Sequence, residues 1–292
     1  GVLSEAAAVQ ILVDVANRGA LTAAEFSSLQ TIAANLNNGL STSDYVASVF
    51  SQLVNGSPAN AVWTGGAASP VPLGNLQVGS TSAQMNELIG KWFFGTDLPN
   101  PNSGTFAPAY VVSTLPLYGS TGAASVADIS QGQLGDCELL ACLIEQVINH
   151  PSQLASMIVN DGNGVYGVRF YVNGSEVWVT VNNALPTYNG SLVYNNAYAS
   201  SSTLWADLVE KAYAQLSATG QIGHPAINSY QNISADAADN VLTNLTNCSS
   251  VTYYDSASSG WNSYRQLIID DIANHYDVIL ETGPKSATIY DA

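Results

Sequence analysis

The segment DISQGQLGDCELLACLIEQ, residues 128–146, places a cysteine directly before an apolar run with helical spacing. Cys137 would therefore lie at a helix N-terminus, where free N–H groups and the helix dipole stabilise a thiolate, the reactive form of cysteine. Asp136 is a plausible N-cap of that helix. Gln131, six residues upstream, carries an amide that could donate to an oxyanion together with the backbone N–H of Cys137. The pattern predicts a nucleophile beside an oxyanion hole.

A purely structural role is the alternative for the same cysteine. Buried cysteines are common, and a cysteine before an apolar run often serves packing alone. The residues after Cys137 do share one broad helical face, formed by Leu139, Leu140, Leu143, Ile144, Val147 and Ile148. Spacing by itself does not choose between a nucleophile and a thiol buried under this helix.

Three segments resemble the calpain family of cysteine peptidases. QGQLGDCELLAC is similar to the family's active-site motif, Gln-Gly-x-Leu-Gly-Asp-Cys-Trp-Leu-Leu-Ala-Ala. EVWVTVNNALPTYNGSLVY is similar to a family strand followed by a Leu-Pro turn and a short hairpin, and LWADLVEKAYAQL is similar to the helix Phe-Trp-x-x-Leu-Leu-Glu-Lys-Ala-Tyr-Ala-Lys. Together they cover roughly residues 125–220, about the first half of a calpain protease core.

The resemblance implies a papain-like cysteine endopeptidase that acts on protein or peptide substrates. Cys137 is then the nucleophile, which forms a tetrahedral oxyanion and a thioester that water hydrolyses, and Gln131 supplies the oxyanion hole. The implied fold is α+β, a mainly helical papain-like subdomain with small antiparallel strands. The runner-up function is a catalytically inactive calpain-like module that binds proteins through an acidic face.

The matching helix carries four residues at family positions for which we expect structural roles. The aromatic rings of Trp205 and Tyr213 are expected in the core. Glu210 and Lys211 are expected to form an exposed ion pair. None of the four is therefore assigned to the chemistry.

The histidine and asparagine that papain-like chemistry requires are missing from their family motifs. Calpains carry them in Gly-His-Ala-Tyr and Asn-Pro-Trp-Gly, and neither motif occurs here. His150, His224 and His275 are expected at the surface or at helix ends, with His224 as a reserve candidate for the base. We expect a second chain, cleaved from the same precursor, to carry the histidine and asparagine. A truncated sequence and a pseudoenzyme are the alternatives.

Two further departures concern the thiol and calcium. Glu138 stands where the family has tryptophan, and a carboxylate beside the thiol should raise the thiol pKa or alter the packing of the substrate groove. Asp128 matches a calcium-binding position of the family, but Thr203 replaces the carboxylate at another. We therefore predict no certain cofactor and no metal site, with calcium as the one open alternative.

The elements that must position these residues divide into two regions. Residues 1–110 read as a helical N-terminal pro- or accessory region, with helices in 4–54 and one over SAQMNELIGKWFF that ends before Gly95. Residues 111–292 read as the calpain-like catalytic half, with the nucleophile subdomain to about residue 225 and a second subdomain over about 226–292. Within it the spacing predicts a helix over 137–149, a hairpin that turns at Asn173-Gly174, helices over 202–216 and 261–274, and a buried strand in YDVILETG.

The composition narrows the class of partner. Six Lys and Arg against 22 Asp and Glu give a formal charge of −16, which argues against nucleic acid and anionic membrane surfaces. Three cysteines are too few for a disulfide scaffold, so a free thiol is expected. Abundant Asn, Ser, Thr and Gly with little Lys suggest a secreted bacterial protein, and the missing base suggests an autoprocessed zymogen. No apolar run approaches the roughly 20 residues that span a bilayer.

Overall fold

The computed structural model describes residues 1–102, 107–196, 203–248, 252–255, 261–274, 276–282 and 287–291 of the 292-residue chain. The helices are α1 (Glu5–Asn17), α2 (Ala23–Asn35), α3 (Asp44–Val54), α4 (Ser82–Phe94), α5 (Cys137–Asn149), α6 (Pro151–Met157), α7 (Trp205–Leu216), α8 (Ala238–Thr246) and α9 (Trp261–Ala273). The strands are β1 (Val62–Trp63), β2 (Val71–Pro72), β3 (Ala109–Val112), β4 (Ile158–Gly162), β5 (Val165–Val172), β6 (Ser175–Asn182), β7 (Ala184–Tyr188), β8 (Ser191–Leu192), β9 (Thr252–Asp255), β10 (Val278–Thr282) and β11 (Ala287–Asp291). Every strand pairing is antiparallel within these ranges, so the predicted α+β class is confirmed.

The four N-terminal helices begin and end where local sequence signals place them. Each is capped by a serine or threonine whose side chain accepts a backbone N–H of the first turn, and Thr22 of α2 forms a full capping box with Glu25. Helix α4 ends at Gly95, which adopts the left-handed conformation (φ +59°). The helices enclose a core of buried apolar side chains that includes Phe50, Leu88 and Phe93. The predicted helical N-terminal region is therefore present.

The described second half combines helices with three small sheets. Strands β4, β5 and β6 form one sheet, and β5 and β6 make the predicted hairpin, in which Val172 pairs with Ser175. The turn residues Asn173 and Gly174 both have positive φ, +51° and +75°, as a tight two-residue hairpin turn requires. Strands β3, β7 and β8 form the second sheet, with β3 running across the predicted boundary at residue 110. The boundaries at residues 110 and 225 themselves stay predictions.

The last described segments form a third antiparallel sheet of order β10-β11-β9. The predicted strand in YDVILETG is β10, and its Ile279 is buried in the core of the second half. Helix α9 matches the helix predicted over residues 261–274. Within the ranges given above, no helix combines the length and the hydrophobicity that crossing a bilayer requires.

Helix α7 is the centre of the second half, because all twelve of its residues are buried. The rings of Trp205 and Tyr213 are fully buried, as predicted. The predicted exposed ion pair is wrong. Lys211 is completely buried and donates to the carbonyl oxygens of Asn182 and Ala184 at 2.8 and 2.7 Å, whereas Glu210 accepts from the backbone N–H of Asn195 at 3.2 and 3.1 Å. Strands, loops and short helices surround α7, which leaves it no solvent face on which an ion pair could lie.

The N-terminal helices dock on strand β6 of the second half. Trp178 of β6 lies in the N-terminal core, with its ring edge-on to Tyr45 at 5.7 Å between centroids. The Tyr45 hydroxyl lies 2.9 Å from the Thr180 hydroxyl, and Thr180 donates to the carbonyl of Trp92 at the end of α4. At Gly95, an added Cβ would lie 2.5 Å from the backbone carbonyl carbon of Val181. The two regions therefore meet through close backbone packing.

Replacement of Gly95 by alanine tests this docking. Gly122 is the matched control, because it also has positive φ (+70°) but no atom within 4 Å of the added Cβ. Gly122→Ala should lower the free energy of unfolding by about 1 kcal/mol, the conformational cost alone. Gly95→Ala should cost about 1 to 3 kcal/mol more, because the Val181 backbone must move. Urea denaturation measures both, and equal losses would contradict the packing of α4 on β6.

Candidate active site

Cys137 is the first residue of α5, and its side chain is exposed. The helix is held from below by Leu139, Leu140 and Leu143, all buried in the core of the second half. Cys142, one turn further on, is the buried thiol, and Cys248 is half-buried. All three cysteines are free, so the expected free thiol is present. The packing role therefore belongs to Cys142, and the accessible thiol at the helix N-terminus is Cys137.

Asp136 occupies the N-cap position of α5, as predicted, but its side chain makes no capping hydrogen bond. Its backbone (φ −113°, ψ +33°) is not in the extended conformation of the capping residues of α1 to α4. The carboxyl group turns inward instead, where it is 1% exposed and contacts the Glu210 carboxyl of α7. The free N–H groups of the first turn of α5 are thus left for other partners.

The carboxyl group of Glu138 lies against the Cys137 thiol. Partial burial, a hydrogen bond to Glu138 and the negative charge of Glu138 together raise the pKa of the Cys137 thiol above its ordinary value. Glu138 is itself buried. The thiol is therefore neutral at neutral pH, and nucleophilic attack requires a base to remove its proton.

Gln131 lies in the loop that leads into α5. Its side chain is exposed, and its amide Nε2 donates to the carbonyl oxygen of Leu134 at 2.7 Å. This bond fixes the direction of the amide and leaves its second hydrogen for another acceptor. Gln131 and Cys137 thus lie on one loop and its adjoining helix, both accessible to solvent.

The same loop, residues 130–136, is held on both sides. Its backbone N–H groups at Ser130 and Gln133 donate to the Asn195 side-chain oxygen (3.1 Å) and to the Val193 carbonyl (2.9 Å). An added Cβ at Gly132 would collide with the carbonyl oxygens of residues 193 and 194, so only glycine fits there. On the other side, the carbonyl of Gly135 accepts from the Ala235 N–H at 2.7 Å. The loop is a fixed structure.

Two of the three histidines lie in the described ranges, and each is engaged with an aspartate. His150 Nε2 lies 2.9 Å from Asp277 Oδ1 at the far end of α5, as expected for a helix-terminal residue. His224 Nε2 lies 3.1 Å from Asp236 Oδ2, and its side chain is only 13% exposed, so the predicted surface position is wrong for His224. His275 lies outside the described residues.

The two positions matched to calcium ligands do not fit a calcium ion. Asp128 is buried, and its Oδ2 accepts from the Ser125 N–H (2.9 Å) and from the Trp205 indole (2.7 Å). Thr203 is buried and offers one uncharged hydroxyl. The described residues contain no cluster of three or more His, Cys, Asp and Glu side chains that could hold a metal ion.

A group of buried acidic side chains was not anticipated from the sequence. It comprises Asp128, Asp136, Asp207 and Glu210, each at most 4% exposed. The pKa of Asp136 is raised to about 6, because burial and the charge of Glu138 raise it by more than the contact with Glu210 and a backbone hydrogen bond lower it. Burial and the neighbouring Asp136 raise the pKa of Glu210 as well. The Gly-Asp pair before Cys137 was the one available signal, and it was assigned to capping.

Comparison with known proteins shows similarity to one family of proteases. A family model described as "Calpain family cysteine protease" matches residues 108–275, more than half of the chain. Similar relatives include the calpain-2 catalytic subunit of Gallus gallus, 32% identical over 155 residues, which are 51% of this chain and 19% of the relative. Calpain-9 of Rattus norvegicus is 32% identical over 127 residues (41% and 18%), and the calpain-2 catalytic subunit of Bos taurus is 37% identical over 102 residues (33% and 14%). The chain spans less than a fifth of the length of these relatives.

Replacement of Glu138 by glutamine tests the electrostatics of the thiol. The variant loses the negative charge, so the thiolate becomes easier to form and alkylation of Cys137 by iodoacetamide at neutral pH should be several-fold faster. Glu145→Gln, on the same helix two turns away, is the matched control and should leave the rate unchanged. Rates measured across the pH range by mass spectrometry give the thiol titration. An unchanged titration in Glu138→Gln would contradict the role of Glu138.

Proposed function

Because the chain belongs to the calpain family of cysteine proteases, we propose that it is a cysteine endopeptidase that hydrolyses peptide bonds through a thioester on Cys137. The observation that carries the proposal is the exposed thiol of Cys137 at the N-terminus of a helix whose other face is buried. The loop before it is held rigidly and carries Gln131, an amide donor with one hydrogen free. Protein or peptide chains are the substrates that this chemistry implies.

The proposed reaction has two steps that conserve the thiol. A base takes the proton of Cys137, and the sulfur forms a bond to the carbonyl carbon of the substrate, whose oxygen becomes an oxyanion. The Gln131 amide and the Cys137 backbone N–H donate to that oxygen. The C–N bond then breaks, the amine leaves with a proton, and a thioester remains. Water attacks the thioester, the carboxylic acid leaves, and the thiol is restored.

The base and the group that orients it are proposed to lie on a second polypeptide cleaved from the same precursor. In this reaction the base must reach the thiol, and the thiol contacts Glu138. His150 and His224 contact aspartates instead, and neither contributes to the environment of the thiol. Mass analysis of the purified protein tests the proposal, which predicts a second polypeptide with a histidine able to complete the site.

A second candidate function is a family member that has lost catalysis and binds proteins. The observation in its favour is Glu138, which holds the thiol in its neutral form. The two candidates predict opposite results for peptide hydrolysis.

Replacement of Cys137 by alanine tests the enzyme directly. Cys137→Ala should abolish hydrolysis of an unfolded protein substrate, whereas Cys248→Ala, the matched control at the half-buried free thiol, should retain it. Gln131→Ala should lower kcat by about 100-fold, because one donor to the oxyanion is lost. Release of dye-labelled fragments measures each rate. Full activity in Cys137→Ala would exclude the thioester mechanism, and inactivity of the wild-type protein together with its co-purified chains would favour the binding module.

A further inference from the structure

Two buried carboxyl groups meet directly behind the nucleophile. Asp136 precedes Cys137, and Glu210 lies on α7; their side chains are 1% and 2% exposed. The contact between the two groups raises the pKa of Glu210 and lowers that of Asp136, as expected when Glu210 keeps a proton and shares it with Asp136. Among the described residues, no side-chain amide or hydroxyl group donates to either oxygen of Asp136, and its own backbone N–H is the other donor that acts on this carboxyl group. A hydrogen bond between two carboxyl groups needs a proton on one of them, because an ionised carboxylate only accepts.

The part of the chain that the structure describes offers no cation to neutralise the pair. The charged and phenolic groups that act on it in the described structure are Glu138 beside Asp136, Asp207 on α7, and Tyr110 and Tyr230 from neighbouring segments. Lys211, the next residue after Glu210, directs its ammonium group to the carbonyl oxygens of Asn182 and Ala184. Two negative charges in such a place would repel each other without compensation, so a retained proton is the available means of neutralisation.

Glu210 is also connected to the other end of the loop. Both of its oxygens accept from the backbone N–H of Asn195, and the side-chain oxygen of Asn195 accepts from the N–H of Ser130 at 3.1 Å. One buried side chain thus links Ser130, through Asn195, with Asp136. These two residues are the ends of the loop that carries Gln131.

We propose that Asp136 and Glu210 share one proton and together act as positioning residues for the loop that presents Gln131 and Cys137. The role in the oxyanion hole rests on the function proposed above, whereas the shared proton does not. The loop keeps its geometry while the pair retains this proton. When alkaline pH removes it, the two carboxylates repel each other and the link between Ser130 and Asp136 loosens.

Infrared spectroscopy of the wild-type protein tests the shared proton. A protonated carboxyl group has its own C=O stretching band, so the wild-type spectrum minus that of each variant at neutral pH isolates the band of the pair. Glu210→Gln and Asp136→Asn should each remove one band, and the double variant should remove no more than either alone. Glu145→Gln is the control, because it removes a half-buried carboxyl group towards the other end of α5. It should leave the band of the pair unchanged. The proposal is overturned if neither Glu210→Gln nor Asp136→Asn removes a band, or if the double variant removes two bands.

The pH profile of two labelling rates tests the positioning role. A peptide chloromethyl ketone develops an oxyanion when Cys137 attacks it, whereas iodoacetamide reports the thiolate alone. We define the labelling ratio as the rate with the chloromethyl ketone divided by the rate with iodoacetamide. In the wild-type protein this ratio should fall by at least about tenfold as the pH rises, because the oxyanion donors lose their position. In Glu210→Gln, whose amide donates to Asp136 at every pH, the ratio should stay high. Glu210→Leu should lower it at every pH.

The outcomes separate this inference from the proposed function. The labelling ratio of Cys248, measured in Cys137→Ala, is the reference value for a thiol without an oxyanion hole. If the wild-type ratio is no higher than this value, the proposed peptidase function fails. Amide hydrogen exchange of residues 130–137 then tests the positioning role by itself. If amide exchange is faster in Glu210→Leu than in the wild-type protein, and returns to the wild-type rate in Glu210→Gln, the pair holds the loop in place. Exchange that is equal in wild type, Glu210→Leu and Glu145→Gln overturns it, as does a labelling ratio with the same pH profile in wild type and Glu210→Gln.

Discussion

Complete burial of helix α7 is the constraint on which the second half of the protein depends. A helix without a solvent face must satisfy each of its polar side chains inside the protein, because an unpaired buried polar group costs about 1 to 3 kcal/mol. Lys211 satisfies this requirement at the junction of β6 and β7, Glu210 at Asn195 and Asp136, and the Trp205 indole at Asp128. Through these contacts α7 holds the junction of β6 and β7 in place. It also holds Asn195, which binds the loop of residues 130–136, and Asp128, which lies just before that loop. The position of Cys137 is a consequence of these internal contacts.

The site combines a rigid donor loop with a thiol that is not activated by its own surroundings. The helix dipole favours the thiolate, but partial burial and the Glu138 carboxyl group oppose it, and the net effect raises the pKa of the thiol. A cysteine peptidase built this way depends on its base for each turnover. Attack without the base would be slow, so on our proposal activity is controlled by whatever supplies the histidine.

The sequence predicted the elements whose signals are local and failed where distant residues decide. Gly95 at the end of α4 and Asn173-Gly174 in the hairpin carry their conformations in their own chemistry, and both were placed correctly. Glu210 and Lys211 are adjacent charged residues of the kind expected on an exposed helix surface, but their partners are residues 182, 184 and 195, which no local pattern identifies. Asp136 lies at the predicted N-cap, but its carboxyl group is buried against Glu210 of α7 and does not cap the helix, which no local pattern indicates. The exposure of Cys137 followed from its place at the start of an anchored helix.

The most direct test of the central claim is the location of an acyl group transferred from an activated peptide ester. The account predicts a single acyl group per protein, attached as a thioester to Cys137 and removed by hydroxylamine, in fragments analysed by mass spectrometry. Cys248 should remain unmodified in the same sample, although it is also a free thiol. An acyl group found equally on Cys137 and Cys248, or on neither, would contradict the assignment of Cys137 as the nucleophile.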